Sequence, residues 1–465
     1  MTTRSAVHRV ADALRVLVQE SEPDTRLPSS RHLVAQHGAS PVTVQRALDL
    51  LVREGLVYTR PGQGAFVAPA KARVSSEDVG WQTVALGERP EVLEAFSEVF
   101  EPVPLGVLPL GSGYLDRSLQ PLAGLSAAMS RAVRRPGAWD RVPAEGLEPL
   151  RAWFAAELGR EFRTQDVLVA AGGQAALTTV FRALTRPGDP VLVESPTHLG
   201  TLATLRAAGA RPVPVPADAQ GLRPDLLERA LAATGARVIY GQPTYANPTG
   251  VTWTLRRREA VLQAAENAGA FVVEDDAARD LSLEGIPPAP LVTLDPARVV
   301  YIRSLTKSTS PGLRVAGIVA RGPVHERLRV ARVTEDLFVA GPLQETALEW
   351  VTASARGKHL QELRGALRSR RDVLVSLLRA SPQLGTLTHI PRGGFHLWLA
   401  LPPGMDEGAF ARRALEAGVQ VNPGRPWFAA EAPGAFVRLT YAAADEGLLR
   451  LGVEKVLAVG SRPQG

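Results

Sequence analysis

The 465-residue chain contains no cysteine. That absence argues against a disulfide framework, a cysteine-ligated iron–sulfur cluster or a thiolate zinc site. Lysine is almost as scarce. Of 53 Lys+Arg, only Lys71, Lys307, Lys358 and Lys455 are lysines, so arginine carries nearly all the positive charge. No run of about 18 apolar residues occurs, which argues against an ordinary membrane span. The amino terminus carries Arg4, His8, Arg9, Asp12 and Arg15, and it lacks the unbroken apolar stretch of a secretory signal. The remaining composition, 45% hydrophobic and 22% charged, is that of a globular protein long enough for two or three domains. A soluble cytoplasmic protein is expected.

The scarcity of lysine draws attention to Lys307. Arginine stays protonated in proteins, whereas lysine can become a neutral amine and attack a carbonyl. Lys307 lies between a β-rich run at 299–303 and the turn Pro311-Gly312, within the segment YIRSLTKSTSPGLRVAGIVA. Taken alone, it reads as a solvated surface lysine. Its neighbours Ser304, Thr306, Ser308, Thr309, Ser310 and Arg314 change that reading. An amine, several hydroxyls and one arginine suit a phosphorylated aldehyde: the amine forms a Schiff base and the rest hold the dianion.

Charge is unevenly spread. Residues 1–73 hold 10 Lys+Arg against 6 Asp+Glu, a net of +4, while the other 392 residues hold 43 against 41, a net of +2. A basic head on a near-neutral body points to a polyanionic partner for the head. Apolar spacing from Val7 through Val10, Ala11, Leu14, Leu17 and Val18 predicts a first helix. Ser29 or Ser30 caps a second, at 31–37, that stops at Gly38. Ser40 caps a third, with Pro41 in its first position, running to Glu54 and ending at Gly55. Leu56-Val57-Tyr58, the turn Pro61-Gly62-Gln63-Gly64 and Phe66-Val67 predict a small hairpin. Three helices and a hairpin make a winged helix-turn-helix, with the third helix placed for the major groove.

The stretch TRLPSSRHLVAQHGASPVTVQRALDLLVREGLVYTRPGQGAFV resembles the DNA-binding head of the GntR family of transcriptional regulators over residues 5–68. The resemblance implies DNA contacts from Arg31, Ser40, Thr43, Gln45, Arg46 and Arg60, with Gly62 and Gly64 letting the wing approach the duplex. Many family members place an arginine directly after the serine cap; here Pro41 stands there. Base reading then shifts to Gln45, which suits adenine, or Arg46, which suits guanine. A solvent-facing Gln45 is the alternative.

After the head, residues 70–109 are rich in Pro, Glu, Ser and Ala and are expected to form a linker with one or two short helices, from apolar runs at 81–86 and 92–99. The chain thus divides into a head at 1–69, this linker and a body at 110–465, the latter with a large part at about 120–340 and a small part at about 341–465. In the body, strands at 167–170, 190–193, 238–240, 271–273 and 299–301 alternate with helices at 174–184, 199–208 and 255–268. This pattern predicts an α/β fold with a mostly parallel sheet and helices on both faces, with functional loops at the strand carboxyl ends.

Those loops carry the candidate chemistry. Ala171-Gly172-Gly173-Gln174 opens a helix that could bind phosphate through its backbone, although a Gly-Gly bend alone is weak. Glu194-Ser195-Pro196-Thr197-His198 places an imidazole where it could stack on a flat ring or simply be solvated. Residues 243–250, PTYANPTG, hold Asn247 between prolines. Glu274-Asp275-Asp276 could bind a divalent metal, but no histidine or third carboxylate clusters nearby in sequence; one aspartate facing a pyridine nitrogen explains it better.

In order, GGQAAL, ESPTH, PTYANPTG, EDD and SLTKSTSPGLR resemble the class I/II aminotransferases, pyridoxal 5'-phosphate (PLP) enzymes of fold type I, from about residue 111 to the carboxyl end. The resemblance implies Lys307 as the Schiff-base lysine, Asp275 at the ring nitrogen, Asn247 at the ring hydroxyl and His198 in the stacking place. Gly173, Gln174, Ser304 and Arg314 would hold the phosphate. Arg438, in FVRLTY, would grip a carboxylate. No metal is expected. A GntR-type head on such a body is similar to the MocR subfamily of regulators. By that resemblance the chain is a homodimeric, PLP-dependent transcriptional regulator. Its partners would be double-stranded operator DNA and an effector, PLP or an amino-acid-like compound; in the cytoplasm it would sit on the nucleoid when bound to DNA. The alternative is a working aminotransferase with an added DNA-binding domain. Aminotransferases usually carry a tyrosine two or three residues after the pyridine-binding aspartate. Here Ala277 and Ala278 stand there, with Arg279 as the nearest polar side chain. The loss of that hydroxyl favours a sensor over a catalyst.

Overall fold

The computed structural model describes residues 6–19, 21–60, 63–68, 80–86, 96, 101 and 103–460. Two compact units result, Met1–Glu88 and Arg89–Gly465.

In the first unit, helices α1 (Ala6–Gln19), α2 (Ser30–His37) and α3 (Pro41–Arg53) precede strands β1 (Val57–Arg60) and β2 (Gly64–Val67), which pair antiparallel. Each helix stops where local chemistry demands it. Ser29 accepts from the amide of His32, Ser40 accepts from that of Thr43 at 3.1 Å, and Gly38 and Gly55 take the left-handed backbone that ends α2 and follows α3. The apolar stripes of α1 and α3 meet in a core of Val10, Ala11, Leu14, Leu33, Val44, Leu48 and Leu51. The predicted winged helix-turn-helix is thus the fold of this unit. Within the expected linker, the apolar run at 81–86 lies in the helix Gly80–Leu86. The run at 92–99 lies outside the described residues except for Phe96, and the wing residue Gly62 lies outside them too.

The second unit is built on an eight-stranded sheet. Its strands are β3 (Val167–Ala170), β4 (Pro190–Ser195), β5 (Arg211–Asp218), β6 (Gly221–Leu222), β7 (Val238–Gly241), β8 (Phe271–Asp275), β9 (Val299–Ser304) and β10 (Ala316–Val319), in the spatial order β3-β10-β9-β8-β7-β4-β5-β6. From β9 to β5 the pairs are parallel; β10 runs antiparallel to both β3 and β9, and β6 antiparallel to β5. The sheet is mixed, with four of its seven pairs parallel, in line with the mostly parallel α/β sheet expected from the alternation.

Three strands of this sheet, β5, β6 and β10, escaped the sequence reading. In β5 the prolines 212, 214 and 216 alternate. Because backbone donors alternate sides along a strand, these three gaps fall on one edge, and β4 pairs with the other. On the open edge, the carbonyl of Pro216 accepts from the amide of Arg223. In β10, Gly317 has no room for a side chain, since a Cβ would sit 2.9 Å from the ring of Phe154.

A second, antiparallel sheet comprises β11 (Thr386–Leu387), β12 (His396–Ala400), β13 (Asn422–Pro423) and β14 (Phe436–Thr440), ordered β11-β12-β14-β13. Helices Ala355–Arg379 and Glu446–Gly460 share its core, through Leu363, Leu367, Leu374, Leu397, Leu439 and Leu449. The chain entering this unit is laced to the same region: the amide of Leu108 donates to Gly418, and those of Gln420 and Thr440 donate to Leu108 and Leu110.

Candidate functional site

Strand ends gather the chemistry. Gly172 follows β3, His198 follows β4, Gln242 and Asn247 follow β7, Asp275 ends β8, and Ser304 ends β9 just before Lys307. A cavity of about 470 Å³ is lined by Gly173, Gln174, His198, Asn247, Asp275, Ser304, Lys307 and Arg314, so it brings together all the residues predicted for the cofactor. A neighbouring cavity of about 230 Å³ shares His198, Asn247 and Lys307 and adds Arg438.

One end of the larger cavity is built for an anion. Gly172 caps the helix Gly173–Leu184 at φ 88°, a left-handed backbone, and a Cβ there would sit 2.7 Å from the guanidinium carbon of Arg314. Glycine thus lets the first amides of the helix and Arg314 converge, with Ser304 beside Gly173. The side chain of Gln174 is engaged elsewhere, donating to the carbonyl of Gly200 at 3.1 Å and to Thr204 at 2.6 Å, which leaves its backbone for an anion.

Another part of the cavity wall is acidic and buried. Burial pushes the Asp275 carboxyl up to about 6, despite hydrogen bonds from Tyr240 at 3.0 Å and Gln242 at 2.8 Å. A buried carboxylate under this strain of desolvation favours a cation opposite it. Gln242 also accepts from the amide of Asn247 at 2.9 Å, so one side chain fixes both residues. Behind it, Glu194 accepts from the amide of Gln242 and from the indole of the fully buried Trp253, each at 2.8 Å.

Lys307 sits in the short turn Thr306–Ser308 and donates to the carbonyl of Gly113 at 2.8 Å, with the ring of Tyr114 at 4.4 Å from its Nζ. Desolvation, then the Arg438 charge, brings its amine down to about 8, although Asp275 acts the other way. His198 falls to about 3 for the same leading reason, helped by Lys307 and Arg438. It is a neutral imidazole, fit to lie on an electron-poor ring. Arg438, on β14, is buried and lies 4.8 Å from the ring centre of Trp427. It donates to Asn247 Oδ1 at 3.1 Å and to the carbonyl of Gly111 at 2.7 Å, and among the described residues its Nε has no partner.

Ala277 and Ala278 line the larger cavity with methyl groups. Arg279 does not replace a hydroxyl there: its guanidinium turns to Asp276 at 3.2 Å and to the carbonyl of Pro288 at 3.0 Å. Tyr245 reaches the cavity wall, but its hydroxyl donates to Ser282 at 2.8 Å.

On the first unit, Arg31, Gln45, Arg46 and Arg60 are exposed. Gln45 donates to Asp49 at 2.9 Å, and the hydroxyls of Ser40 and Thr43 bond each other at 2.8 Å within the cap of α3. The Arg60 guanidinium lies over the rings of Tyr58 and Phe66, at 5.2 and 4.7 Å. Gly64 takes φ 112° in the wing, where a Cβ would meet Arg26 at 3.4 Å.

Residues 137–456 match the family "Aminotransferase class I and II", and residues 6–67 match "Bacterial regulatory proteins, gntR family". The first match covers more than half of the chain. It belongs to the MocR subfamily: a GntR-type head joined to a class I/II aminotransferase domain. MocR-type architecture extends along whole relatives. The chain is 29% identical over 439 residues to the uncharacterised HTH-type transcriptional regulator YdfD of Bacillus subtilis, covering 92% of this chain and 90% of that one. The 2-aminoadipate transaminase of Thermus thermophilus is 34% identical over 361 residues, 75% of this chain and 89% of the relative. The crystal structure of LysN, the alpha-aminoadipate aminotransferase of Thermus thermophilus, superposes with a TM-score of 0.74 at 31% identity, over 83% of this chain and 97% of that one.

PLP is the cofactor of this MocR-type fold. The residues fit it: the glycine-lined cradle at Arg314 suits its phosphate, Asp275 its ring nitrogen and Lys307 its aldehyde. Sequence reasoning missed Tyr114, Gln242, Phe395 and His396, which also line the cavity. For Gln242 the signal was present, as a polar residue directly between β7 and the PTYANPTG motif.

The lowered Lys307 pKa gives a pH prediction. The neutral amine is the reactive form, and its pKa lies below the usual 10.5. The rate of cofactor attachment, followed by absorbance, should rise about tenfold per pH unit and level off above about 8. A rise continuing to pH 10 would contradict it.

Proposed function

We propose that this chain is a DNA-binding transcriptional regulator whose aminotransferase-like body senses PLP, an amino compound or both. The observation that carries this reading is the mixed state of the cavity: the groups suited to binding converge, while Ala277 and Ala278 stand where a catalyst would need a hydroxyl. When bound, PLP supplies an electrophilic carbonyl and an electron sink for an amine. In this reading Lys307 holds the aldehyde carbon and Asp275 keeps a proton on the ring nitrogen. Asn247 takes the ring oxygen and His198 lies on the ring face. The amides at Gly173 and Gln174, with Ser304 and Arg314, hold the phosphate. Arg438 receives a carboxylate as a bidentate pair. The protein works in the cytoplasm as a homodimer, and its two heads read two half-sites.

The head supplies the DNA affinity in this proposal. Arg46→Ala and Arg60→Ala are each expected to weaken operator binding and to reduce its salt slope by about one if they touch phosphate. Gln45→Ala is expected to relax preference at a single base position, at roughly 1–3 kcal/mol. Unchanged footprints in all three variants would refute this docking. To test the body, amino acids are added to the PLP-loaded protein while keto acid and operator affinity are both measured. Changed operator affinity without sustained keto-acid release supports the sensor; rapid multiple turnover at constant operator affinity would leave an enzyme.

A further inference from the structure

A third extended segment pairs with the wing of the first unit. The amide of Asp24 donates to the carbonyl of Val67 at 3.0 Å, that of Val67 to Thr25 at 2.9 Å, and that of Leu27 to Ala65 at 2.8 Å. Residues 24–27 thus run antiparallel along β2, with Arg26 opposite Phe66. Side chains alternate along such a segment. Leu27 turns into the core, as Val57 and Val67 do, so Arg26 turns outward with Tyr58, Arg60, Gly64 and Phe66.

On that outer face two guanidinium groups lie side by side. Arg60 covers the rings of Tyr58 and Phe66. Arg26 lies over Gly64, where a Cβ would stand 3.4, 3.6 and 3.9 Å from its Nε, Nη2 and Cζ. Those similar distances lay the guanidinium across the glycine, whose missing side chain makes the room. The two arginines differ in their partners. Arg60 donates to Tyr58 Oη at 2.6 Å and pairs with Asp24 at 3.4 Å. Arg26 is exposed, and among the described residues no carboxylate pairs with it.

We propose that Arg26 binds a backbone phosphate of duplex DNA, making with Arg60 a two-guanidinium clamp on the outer face of the wing. The inference rests on the DNA-binding reading above and adds a contact from outside the helices and the hairpin. Arginine keeps its charge at any working pH and offers a fixed fork of donors that matches two phosphate oxygens. Its backbone is already tied to β2, so little is left to order when the phosphate arrives. A guanidinium on a phosphate displaces counterions and reads no base. This contact therefore sets affinity and register without sequence preference.

The test uses the PLP-loaded, full-length protein and a labelled duplex of random sequence, titrated by fluorescence anisotropy at several salt concentrations. Wild type is expected to show log K falling linearly with log salt. Arg26→Ala should reduce the magnitude of that slope by about 0.9 for each head that engages, and Arg26→Lys should restore it. The same loss is expected on every duplex sequence tried, with melting temperature and PLP absorbance unchanged. A wild-type slope in Arg26→Ala overturns the clamp. So does a loss confined to particular sequences, which would make Arg26 a reader of bases. Binding by the wild type that ignores salt would instead remove the DNA-binding reading of the head itself. Arg26→Gln, which keeps a long polar side chain without the charge, gives the same slope test if the alanine variant folds poorly.

Discussion

Lys307→Ala should fold normally, bind PLP only through non-covalent contacts, and lose both the visible band of the attached cofactor and the label trapped by borohydride. The loss should reach background, because among the described residues no other lysine lines either cavity. Lys358 is exposed and pairs with Glu362 on a helix surface, and Lys455 donates to the carbonyl of Ala417 at 3.0 Å. Removing the amine also removes the charge beside Tyr114 and the donor to Gly113. A labelled peptide containing Lys358 or Lys455 would overturn the assignment. So would a normal visible spectrum in the variant.

Trp253→Ala is expected to be the most damaging single truncation near the site. The indole is fully buried and so closely packed that a Cβ on Gly221 or Gly241 would come within 2.1 and 2.7 Å of it. Truncating a buried tryptophan costs about 3–5 kcal/mol. For a unit of this size each kcal/mol lowers the melting temperature by roughly 1–2 °C. Trp253→Phe separates packing from polarity: it keeps most of the volume but leaves Glu194 Oε1 without its 2.8 Å donor. That loss is expected at about 1–3 kcal/mol. Burial raises Glu194 from 4.5 to about 7, so the native state keeps a proton that the unfolded chain releases. Stability should therefore fall as pH rises from about 4.5 to about 7 and level off above. In Trp253→Phe the fall should be larger and extend to higher pH, since a donor that favours the carboxylate is gone. Melting curves over that range check both points; a pH-independent difference between wild type and variant would argue against a buried, ionising Glu194.

What could be read in the sequence was what local chemistry encodes. Ser29, Ser40, Pro41 and Gly38 each state where a helix begins or ends, and α1–α3 follow them within a residue or two. The loops after β3, β4, β7, β8 and β9 were legible because their glycines, prolines and acids interrupt apolar runs. Strands β5 and β10 were not. Alternating prolines look like a breaker until one knows that β4 lies on one edge alone, and Gly317 reads as a turn until Phe154 is seen against it. Contacts between distant stretches stayed hidden for the same reason. Nothing in GSGYLD announces that Gly113 faces Lys307, 194 residues away, and nothing near Arg279 says that it turns from the cavity toward Asp276. The anion cradle was half legible: Gly172-Gly173 signalled a helix start, but its convergence with Arg314 depends on β10 lying between β3 and β9.

The near-absence of lysine has a practical side. With no cysteine, eight histidines and four lysines, this protein has few groups that change charge between pH 7 and 9.5, and its many arginines do not titrate there. His198 is already neutral throughout that window. The buried carboxyls of Glu194 and Glu274, pushed up to about 7 and about 8 by desolvation, are the exceptions close to the cavity, so Lys307 does not titrate alone. The same composition makes amine-directed reagents unusually selective, since besides the chain terminus they can find only four side chains, one of them at the floor of the site.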